Sequence, residues 1–276
     1  MIRRRNIVLV GAGRMGGALL TGWLRALGPG HDYVVVDRSS REFRGAVPSA
    51  IPDNYRLDRV SSVEAVPNDR RVDAVVLATK PHQVAEALAG LEHCIEPETV
   101  AISIAAGIGI DRMLSATDAT RAMVRAMPNI GAMLGHSASA GFAAEGVSPS
   151  QKALAEALFK AVGTFVWVSR EDDLHAVTAL SGSGPAYYFA FCEAMAEAAV
   201  AEGLSRDVAN ALAAGTVVSA GRLLEENPDP AVLRETVTSP NGTTAAGLAA
   251  LGDSDQLVRM AGKALAAARK RSMAMS

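Results

Sequence analysis

Two serines alternate with two glycines directly before a proline in the stretch Ser181–Tyr188. Proline lacks an N–H and fits the first turn of a helix, which makes Ser183 or Gly184 the predicted N-cap. No further glycine or proline occurs before Gly203, so the sequence predicts a long helix here. Because backbone N–H groups at a helix start lack intrahelical partners, this start predicts a site for a carboxylate or phosphate.

A glycine motif of a different kind, Gly11-Ala12-Gly13-Arg14-Met15-Gly16, lies near the start of the chain. It follows Ile7–Val10, an apolar run typical of a strand buried on both faces, and it precedes a helical stretch. A second such run, Tyr33–Val36, ends at Asp37. A glycine turn between strand and helix, with an acidic residue about 20 positions later, predicts a dinucleotide-binding site. A glycine turn that binds nothing is the alternative.

The residues after the second strand leave the choice of dinucleotide open. Asp37 suits the ribose 2′-hydroxyl of NAD. Arg38, Ser39 and Ser40 follow it and suit the 2′-phosphate of NADP. The sequence therefore predicts a nicotinamide dinucleotide without choosing between the two.

Further apolar runs alternate with helical stretches up to residue 169. The predicted strands are Val72–Ala78, Val100–Ile104, Ala122–Met127, Ser139–Phe142 and Thr164–Val168. Such alternation predicts a doubly wound parallel sheet. Thr79, Lys80 and Pro81 come at the carboxyl end of one strand, the edge where ligands bind in such sheets. Lys80 either contacts a ligand there or is an ordinary solvated lysine.

No strand is predicted after Ser169, and the rest of the chain reads as helices. These helices are rich in alanine and poor in polar residues, so their apolar faces need cover that a second chain can supply. We therefore predict an α/β protein in which an N-terminal Rossmann-type doubly wound sheet (1–169) is followed by an all-helical C-terminal dimerisation domain (170–276).

Composition excludes several classes of protein. A net charge of −2, with 20% charged residues, gives no basic excess for nucleic acid. The five histidines include no pair at metal-ligand spacing, so no metal is expected, and two distant cysteines form no disulfide framework. No apolar run approaches the roughly 20 residues of a membrane span, and the N-terminal apolar run is too short for a signal peptide. We expect a cytoplasmic protein.

Six motifs, in order over Ile7 to about Arg271, resemble the pyrroline-5-carboxylate reductase family. They are Val10–Gly16, Ala78–Pro81, Ser103–Gly107, Arg125–Asn129, Ser181–Tyr187 and Thr238–Thr244. Two departures occur. Ile130-Gly131 stands where the family usually has Thr-Pro, and Asn241 stands where it usually has glycine. Asparagine tolerates left-handed backbone geometry better than most residues, so we expect the second loop to keep its shape.

The resemblance implies the last step of proline synthesis, in which 1-pyrroline-5-carboxylate is reduced to L-proline by hydride transfer from NADPH or NADH. It implies a homodimer or larger assembly, with the active site between the nicotinamide and the helical domain. By family position, the Ser239–Thr244 backbone and the Thr244 hydroxyl bind the substrate carboxylate. Thr178 matches a threonine proposed to hydrogen-bond the ring nitrogen.

These considerations assign three sets of residues. The catalytic residue is Thr178. The cofactor-binding residues are Gly11, Gly13, Arg14, Met15, Gly16, Asp37, Arg38, Ser39, Ala78, Thr79, Lys80, Pro81, Ala105 and Asn129. The substrate-binding residues are Ser181, Ser183, Gly184, Pro185, Val237, Ser239, Asn241, Gly242, Thr243 and Thr244.

A long stretch in the second half of the chain lacks the lysine and histidine side chains that can act as the base in alcohol oxidation, a base that imine reduction does not need. Reduction of a C=N bond needs only one proton on nitrogen, and between Ala176 and Gly262 there is no lysine and no histidine. Alcohol oxidation needs a base, which related hydroxyacid dehydrogenases place as a lysine on the corresponding helix. The alternatives are such a β-hydroxyacid dehydrogenase, or a binding protein that senses the dinucleotide. For Thr178 the alternative is a hydroxyl bonded to a carbonyl one turn earlier.

Overall fold

The computed structural model describes residues 4–27, 30–38, 56–69, 71–252 and 254–276. The chain divides into two compact units. The sheet unit comprises Met1–Gly182 with Ala268–Ser276, and the helical unit comprises Ser183–Ala267. The domain boundary expected at residues 169 and 170 stays a prediction.

Eight strands form one sheet in the described part of the sheet unit. They are β1 (Arg5–Val10), β2 (His31–Val36), β3 (Arg56–Val60), β4 (Ala74–Leu77), β5 (Val100–Ser103), β6 (Met123–Met127), β7 (Ser137–Ala143) and β8 (Gly163–Trp167). Their order is β3-β2-β1-β4-β5-β6-β7-β8, in which β1 pairs in parallel with both β2 and β4. This is the predicted α/β architecture, and the order reverses beside β1, where a dinucleotide binds in doubly wound folds.

One pair of strands differs from the predicted parallel arrangement. β7 runs antiparallel to β6, with Val124 opposite Ala143 and Met127 opposite Ala140. The connection between them holds only a short 3₁₀ helix, Ile130–Leu134. A parallel pair needs a crossover of a dozen or more residues, whereas a short link returns the chain alongside the strand that it has just left.

Helices cover both faces of the sheet and bury two apolar layers. These helices are α1 (Arg14–Ala26), α2 (Val84–Ala89), α3 (Ile110–Leu114), α4 (Pro149–Lys160) and α5 (Asp173–Val177). On one face Leu9, Val35 and Trp23 share a buried cluster, and the indole Nε1 of Trp23 donates to the Leu158 carbonyl at 2.8 Å. On the other face Val10 and Leu77 belong to a second cluster. Strands buried on both faces explain the uninterrupted apolar runs of the sequence.

The remaining helices follow a π-helical turn, Thr178–Gly182. They are α6 (Gly184–Ala201), α7 (Arg206–Glu226), α8 (Pro230–Thr236), α9 (Thr243–Ala250) and α10 (Ser254–Met273). These helices agree with the helical reading of the sequence after Ser169. Within the described chain, no helix combines the length and apolar character that crossing a membrane requires.

Candidate active site

The glycine motif forms a tight turn between β1 and α1. Gly11 has a φ of +94°, and a Cβ there would lie 2.8 Å from the carbonyl oxygen of Ala78. A Cβ on Gly16 would collide with the carbonyl of Gly11. These two glycines are required by the packing of strand, turn and helix.

Gly13 is different, because none of the described residues requires a glycine there. A Cβ on Gly13 would meet no atom within 4 Å, and its φ is −65°. Gly13 is the N-cap of α1, and no side chain caps the helix. Open space beside uncapped N–H groups at a helix start suits the pyrophosphate of a dinucleotide. Arg14 and Met15 form the first turn of the same helix.

A cavity of about 310 Å³ opens at the carboxyl edge of the sheet beside Gly11. The predicted cofactor residues that line it are Gly11, Asp37, Arg38, Ala78, Thr79 and Lys80. The Thr79 hydroxyl oxygen is buried there and finds no hydrogen-bond partner among the described residues. A buried polar atom without a partner is costly, so the cavity fits a ligand that carries polar groups. The residues present therefore fit a dinucleotide.

Ser61, Ser62 and Glu64 also line this cavity, and they were not foreseen. They follow β3, in a stretch whose sequence has too few apolar residues to predict a definite strand. A hydrogen bond from Ser62, together with the positive charge of Arg38, holds the pKa of Glu64 below its usual range. The ionised Glu64 and the cationic Arg38 thus lie at the same end of the cavity as Asp37, whose N–H donates to the Val60 carbonyl at 3.0 Å.

The other predicted cofactor residues follow neighbouring strands at the same edge. Lys80 is exposed and is the N-cap of a 3₁₀ helix that begins at Pro81. Ala105 is buried after β5, and its N–H donates to the Ser103 hydroxyl at 3.2 Å. Ser39 lies outside the described residues. The cofactor contacts of all these residues stay predictions.

Asn129, which lies after β6, makes hydrogen bonds to the protein through both the oxygen and the nitrogen of its side-chain amide. Its Oδ1 accepts from the Gly131 N–H at 3.0 Å and from the Ala138 N–H at 3.4 Å. Its Nδ2 donates to the Ser181 carbonyl at 3.0 Å. The side chain is buried, so its contact with the cofactor stays a prediction and its contact with the π-turn is the structural finding.

Thr178 begins the π-turn and is half-buried. Its hydroxyl donates to the Leu174 carbonyl at 2.7 Å, one turn earlier. Ser181 repeats the arrangement, with its hydroxyl donating to the Val177 carbonyl at 3.1 Å. Thr178 thus makes the hydrogen bond to a carbonyl one turn earlier that the sequence allowed as its alternative role. Its hydroxyl hydrogen is engaged in that bond. The hydroxyl oxygen still carries lone pairs that can accept.

The start of α6 offers fewer donors than the sequence suggested. Ser183 is the N-cap, as predicted, but it has helical dihedrals and makes no side-chain cap bond. The Ala186 N–H donates to the Ser183 carbonyl at 3.0 Å, and Pro185 has no N–H. Gly184 is buried at the first position of the helix. An anion at this helix start therefore finds little backbone left to bind.

The loop after α8 is a tight turn around Asn241. Asn241 has a φ of 60°, and the Gly242 N–H donates to the Ser239 carbonyl at 3.0 Å, which closes a tight turn. The left-handed conformation predicted for Asn241 is confirmed. Gly242 is the N-cap of α9 without a side-chain cap bond, so the Thr243 and Thr244 N–H groups begin the helix uncapped. Val237, at the end of α8, is exposed.

Two protein-family models match the chain. A family model described as pyrroline-5-carboxylate reductase dimerisation matches residues 171–275, and one described as NADP oxidoreductase coenzyme F420-dependent matches residues 6–107. The pyrroline-5-carboxylate reductase of Pasteurella multocida is 34% identical over 99% of this chain and 98% of that protein. The chain belongs to the pyrroline-5-carboxylate reductase family.

Solved structures of the family agree over the full length. A pyrroline-5-carboxylate reductase from Coxiella burnetii is 34% identical, covers 99% of this chain and 98% of its own, and superposes with a TM-score of 0.86. The Plasmodium falciparum pyrroline carboxylate reductase with NADP bound is 25% identical, covers 98% of each chain, and gives a TM-score of 0.75. The resemblance inferred from six motifs is confirmed.

Proposed function

We propose that this protein reduces 1-pyrroline-5-carboxylate to L-proline with NADPH or NADH, the last step of proline synthesis. The observation that carries the proposal is the 34% identity to a pyrroline-5-carboxylate reductase across nearly the whole of both chains. A match of that extent includes both the dinucleotide turn and the Ser239–Thr244 turn.

The dinucleotide is held by the sheet unit. Its pyrophosphate binds at the start of α1, beside Gly13, and its adenosine end lies among Asp37, Arg38 and Ser62. Thr79 supplies its free hydroxyl from inside the cavity. When bound, the reduced nicotinamide supplies a hydride to the carbon of the C=N bond.

The substrate carboxylate binds at the start of α9. The uncapped Thr243 and Thr244 N–H groups point out of the helix start, where the helix dipole favours an anion. The tight turn fixed by Asn241 brings the chain into this helix start. Since the α6 start has few donors left, α9 carries most of the recognition of the carboxylate.

Thr178 acts at the ring nitrogen as an acceptor. Its hydroxyl hydrogen is directed at the Leu174 carbonyl, so Oγ1 presents lone pairs to the substrate. A lone pair can accept the N–H of a protonated imine and cannot deliver a proton to a neutral one. The substrate therefore binds as its iminium, which already carries the proton that the product needs.

The assembly we propose is a homodimer or a multiple of one, formed through the helical unit. The family match there is to a dimerisation region, and its helices expose large apolar side chains. The cytoplasmic location and the choice between NADPH and NADH stay predictions.

The proposal is tested by the absorbance of the reduced nicotinamide with candidate substrates. We expect rapid oxidation with 1-pyrroline-5-carboxylate, and only background rates with 3-hydroxy acids assayed in the oxidising direction. Turnover of a hydroxy acid would favour the dehydrogenase, and cofactor binding without turnover of either would favour a sensing protein.

A further inference from the structure

We propose that Asn129 is a positioning residue, which fixes the π-turn carrying Thr178 by bonding to the Ser181 carbonyl. This inference rests on the proposed function for its kinetic consequences and on the hydrogen-bond geometry for its structural ones. It gives Asn129 a role that does not require contact with the cofactor.

The Ser181 carbonyl needs a donor such as Asn129 because of the residue that follows four positions later in the sequence. In an α-helix the carbonyl of Ser181 would accept from the N–H four residues later, and that residue is Pro185, which has none. The next N–H along the chain, that of Ala186, donates to the Ser183 carbonyl instead. The Ser181 carbonyl thus depends on a donor from outside its own helix, because an unpaired carbonyl is costly.

The side chain of Asn129 is held so that only its amide nitrogen can face that carbonyl. Two backbone N–H groups, from Gly131 and Ala138, point at Oδ1 and fix which end of the amide is oxygen. The Asn129 N–H is in turn anchored to the Ser137 hydroxyl at 3.0 Å. With 8% of its surface exposed, the residue has little freedom to turn.

This bond joins the carboxyl edge of the sheet to the segment that carries Thr178. Asn129 follows β6 after Pro128, at the carboxyl edge of the sheet, and Ser181 lies three residues after Thr178. A displacement of about 1 Å in a catalytic group can cost about a hundredfold in rate. Loss of the bond should therefore lower turnover while the dinucleotide cavity stays intact.

The decisive variant is Asn129→Asp, which keeps an oxygen for Gly131 and replaces the donor to Ser181 with a second oxygen. We expect kcat to fall about tenfold to a hundredfold, with the Kd for NADPH unchanged. Asn129→Ser, which is neutral and too short to reach the Ser181 carbonyl, should show the same fall in kcat. It serves as the second variant if the charged one does not fold.

Ser139→Ala is the matched control. It removes a buried hydroxyl from the same cluster, together with its 2.8 Å bond to the Ser137 hydroxyl, but keeps the Ser137 hydroxyl that anchors the Asn129 N–H and leaves the amide of Asn129 facing Ser181. We expect its kcat to stay near that of the wild type. A Kd for NADPH that rises in step with the loss of kcat in the Asn129 variants would overturn the proposal in favour of a cofactor contact. Equal kcat in all three variants would also overturn it.

Hydrogen–deuterium exchange over residues 178–182 gives a readout that does not need turnover. The Asn129 variants should exchange faster there than the wild type, and Ser139→Ala should not. If the wild type fails to reduce 1-pyrroline-5-carboxylate, the proposed function fails, and the exchange result still decides the role of Asn129. Unchanged exchange in the Asn129 variants contradicts that role.

Discussion

The sheet unit and the helical unit differ most in what they bury. The sheet unit encloses Trp23, Tyr33 and Phe159 completely. Of the described residues in α6 to α9, only Gly184, Ala196 and Ala209 are buried. Large apolar side chains of the same helices stay in solvent, among them Tyr188 at 69%, Phe189 at 65%, Val218 at 63% and Leu212 at 58% exposed.

The two units therefore reach stability by different means. The sheet unit buries its apolar residues by itself, so its fold and its dinucleotide cavity should be properties of one chain. The described part of the helical unit has two long paired helices that leave large apolar side chains in solvent, which suits packing against another copy. Changes in one unit should therefore leave the characteristic property of the other intact.

The largest effect is expected from Gly13→Val. A valine side chain would fill the open space beside the start of α1 and displace at least two hydrogen bonds to the pyrophosphate, each worth about 1.5–3 kcal/mol. We expect the Kd for NADPH to rise at least about a hundredfold. Fluorescence titration measures this, and thermal melting and assembly should be unchanged.

Gly30→Val is the control for Gly13→Val. Gly30 belongs to the same unit, and a Cβ there also meets no atom of the described residues within 4 Å, but Gly30 does not lie at the start of α1 as Gly13 does. Its Kd for NADPH should match that of the wild type. Unchanged affinity in Gly13→Val would mean that the pyrophosphate binds elsewhere.

The next effect is on assembly, in Leu212→Asp on α7. Burying a leucine contributes about 1.5–3 kcal/mol, and a two-fold interface contains it twice. We expect the dimer dissociation constant, measured by sedimentation, to rise by about a hundredfold or more. The isolated chain should still bind NADPH. Asn210→Asp adds the same charge at an exposed polar position of α7 and should leave the dimer intact.

A compact, active monomer of the wild type at micromolar concentration would refute this account of the helical unit. Loss of NADPH binding in Leu212→Asp would show instead that the sheet unit does not hold its cofactor cavity alone.

A smaller effect is expected from Thr178→Val. The change keeps the shape of the side chain and removes the oxygen that accepts from the iminium, a bond worth about 1.5–3 kcal/mol. We expect kcat to fall about tenfold to a hundredfold, with the Kd for NADPH unchanged. Thr216→Val removes a hydroxyl bonded to a carbonyl four residues earlier in the helical unit, and should leave kcat unchanged. Normal kcat in a stable Thr178→Val would remove Thr178 from the mechanism.

The smallest effect concerns the two cysteines, one in each unit. Burial raises the pKa of Cys94 to about 11, whereas Cys192 on α6 is only half-buried. Thiolate is the reactive form, so in Cys192→Ala the remaining thiol should be modified only when the protein opens. Labelling kinetics at pH 8 measures this, and labelling of Cys94 as fast as of a free cysteine would contradict its burial.

The raised pKa of Cys94 also makes the stability of the fold depend on pH. A raised pKa means that the folded state holds the proton more firmly than the unfolded state, whose pKa is near 9.0. The Cys94 contribution is therefore full below pH 9.0 and is lost as the pH rises towards about 11. Cys94→Ala should lose less stability over that window than the wild type, as chemical denaturation at each pH would measure.

Much of the sheet unit was predictable because local patterns determine it. The apolar run Ile7–Val10 is long enough and branched enough to be a buried strand, and the glycines after it allow only a tight turn. The left-handed conformation of Asn241 was predictable for a similar reason, since few other residues adopt it readily.

What could not be predicted depends on contacts that only the folded chain determines. The bond from Asn129 to Ser181 joins positions 52 residues apart, and no local pattern indicates it. The antiparallel pair of β6 and β7 depends on the length of one connection. The hydrogen bond from Ser62 to Glu64 comes after a strand, β3, whose sequence has too few apolar residues to indicate it. The hydroxyl of Thr178 had two possible partners, and only the folded helix shows that it donates to Leu174.

The central claim is that this chain transfers hydride from a reduced nicotinamide to the imine carbon of 1-pyrroline-5-carboxylate. The most direct measurement uses NADPH carrying deuterium at the transferable position of the nicotinamide, with mass spectrometry and NMR of the product. We expect proline with one deuterium on the CH2 ring carbon next to nitrogen, the one that does not carry the carboxylate, formed in step with cofactor oxidation. Proline without deuterium, or no proline while the cofactor binds normally, would contradict it.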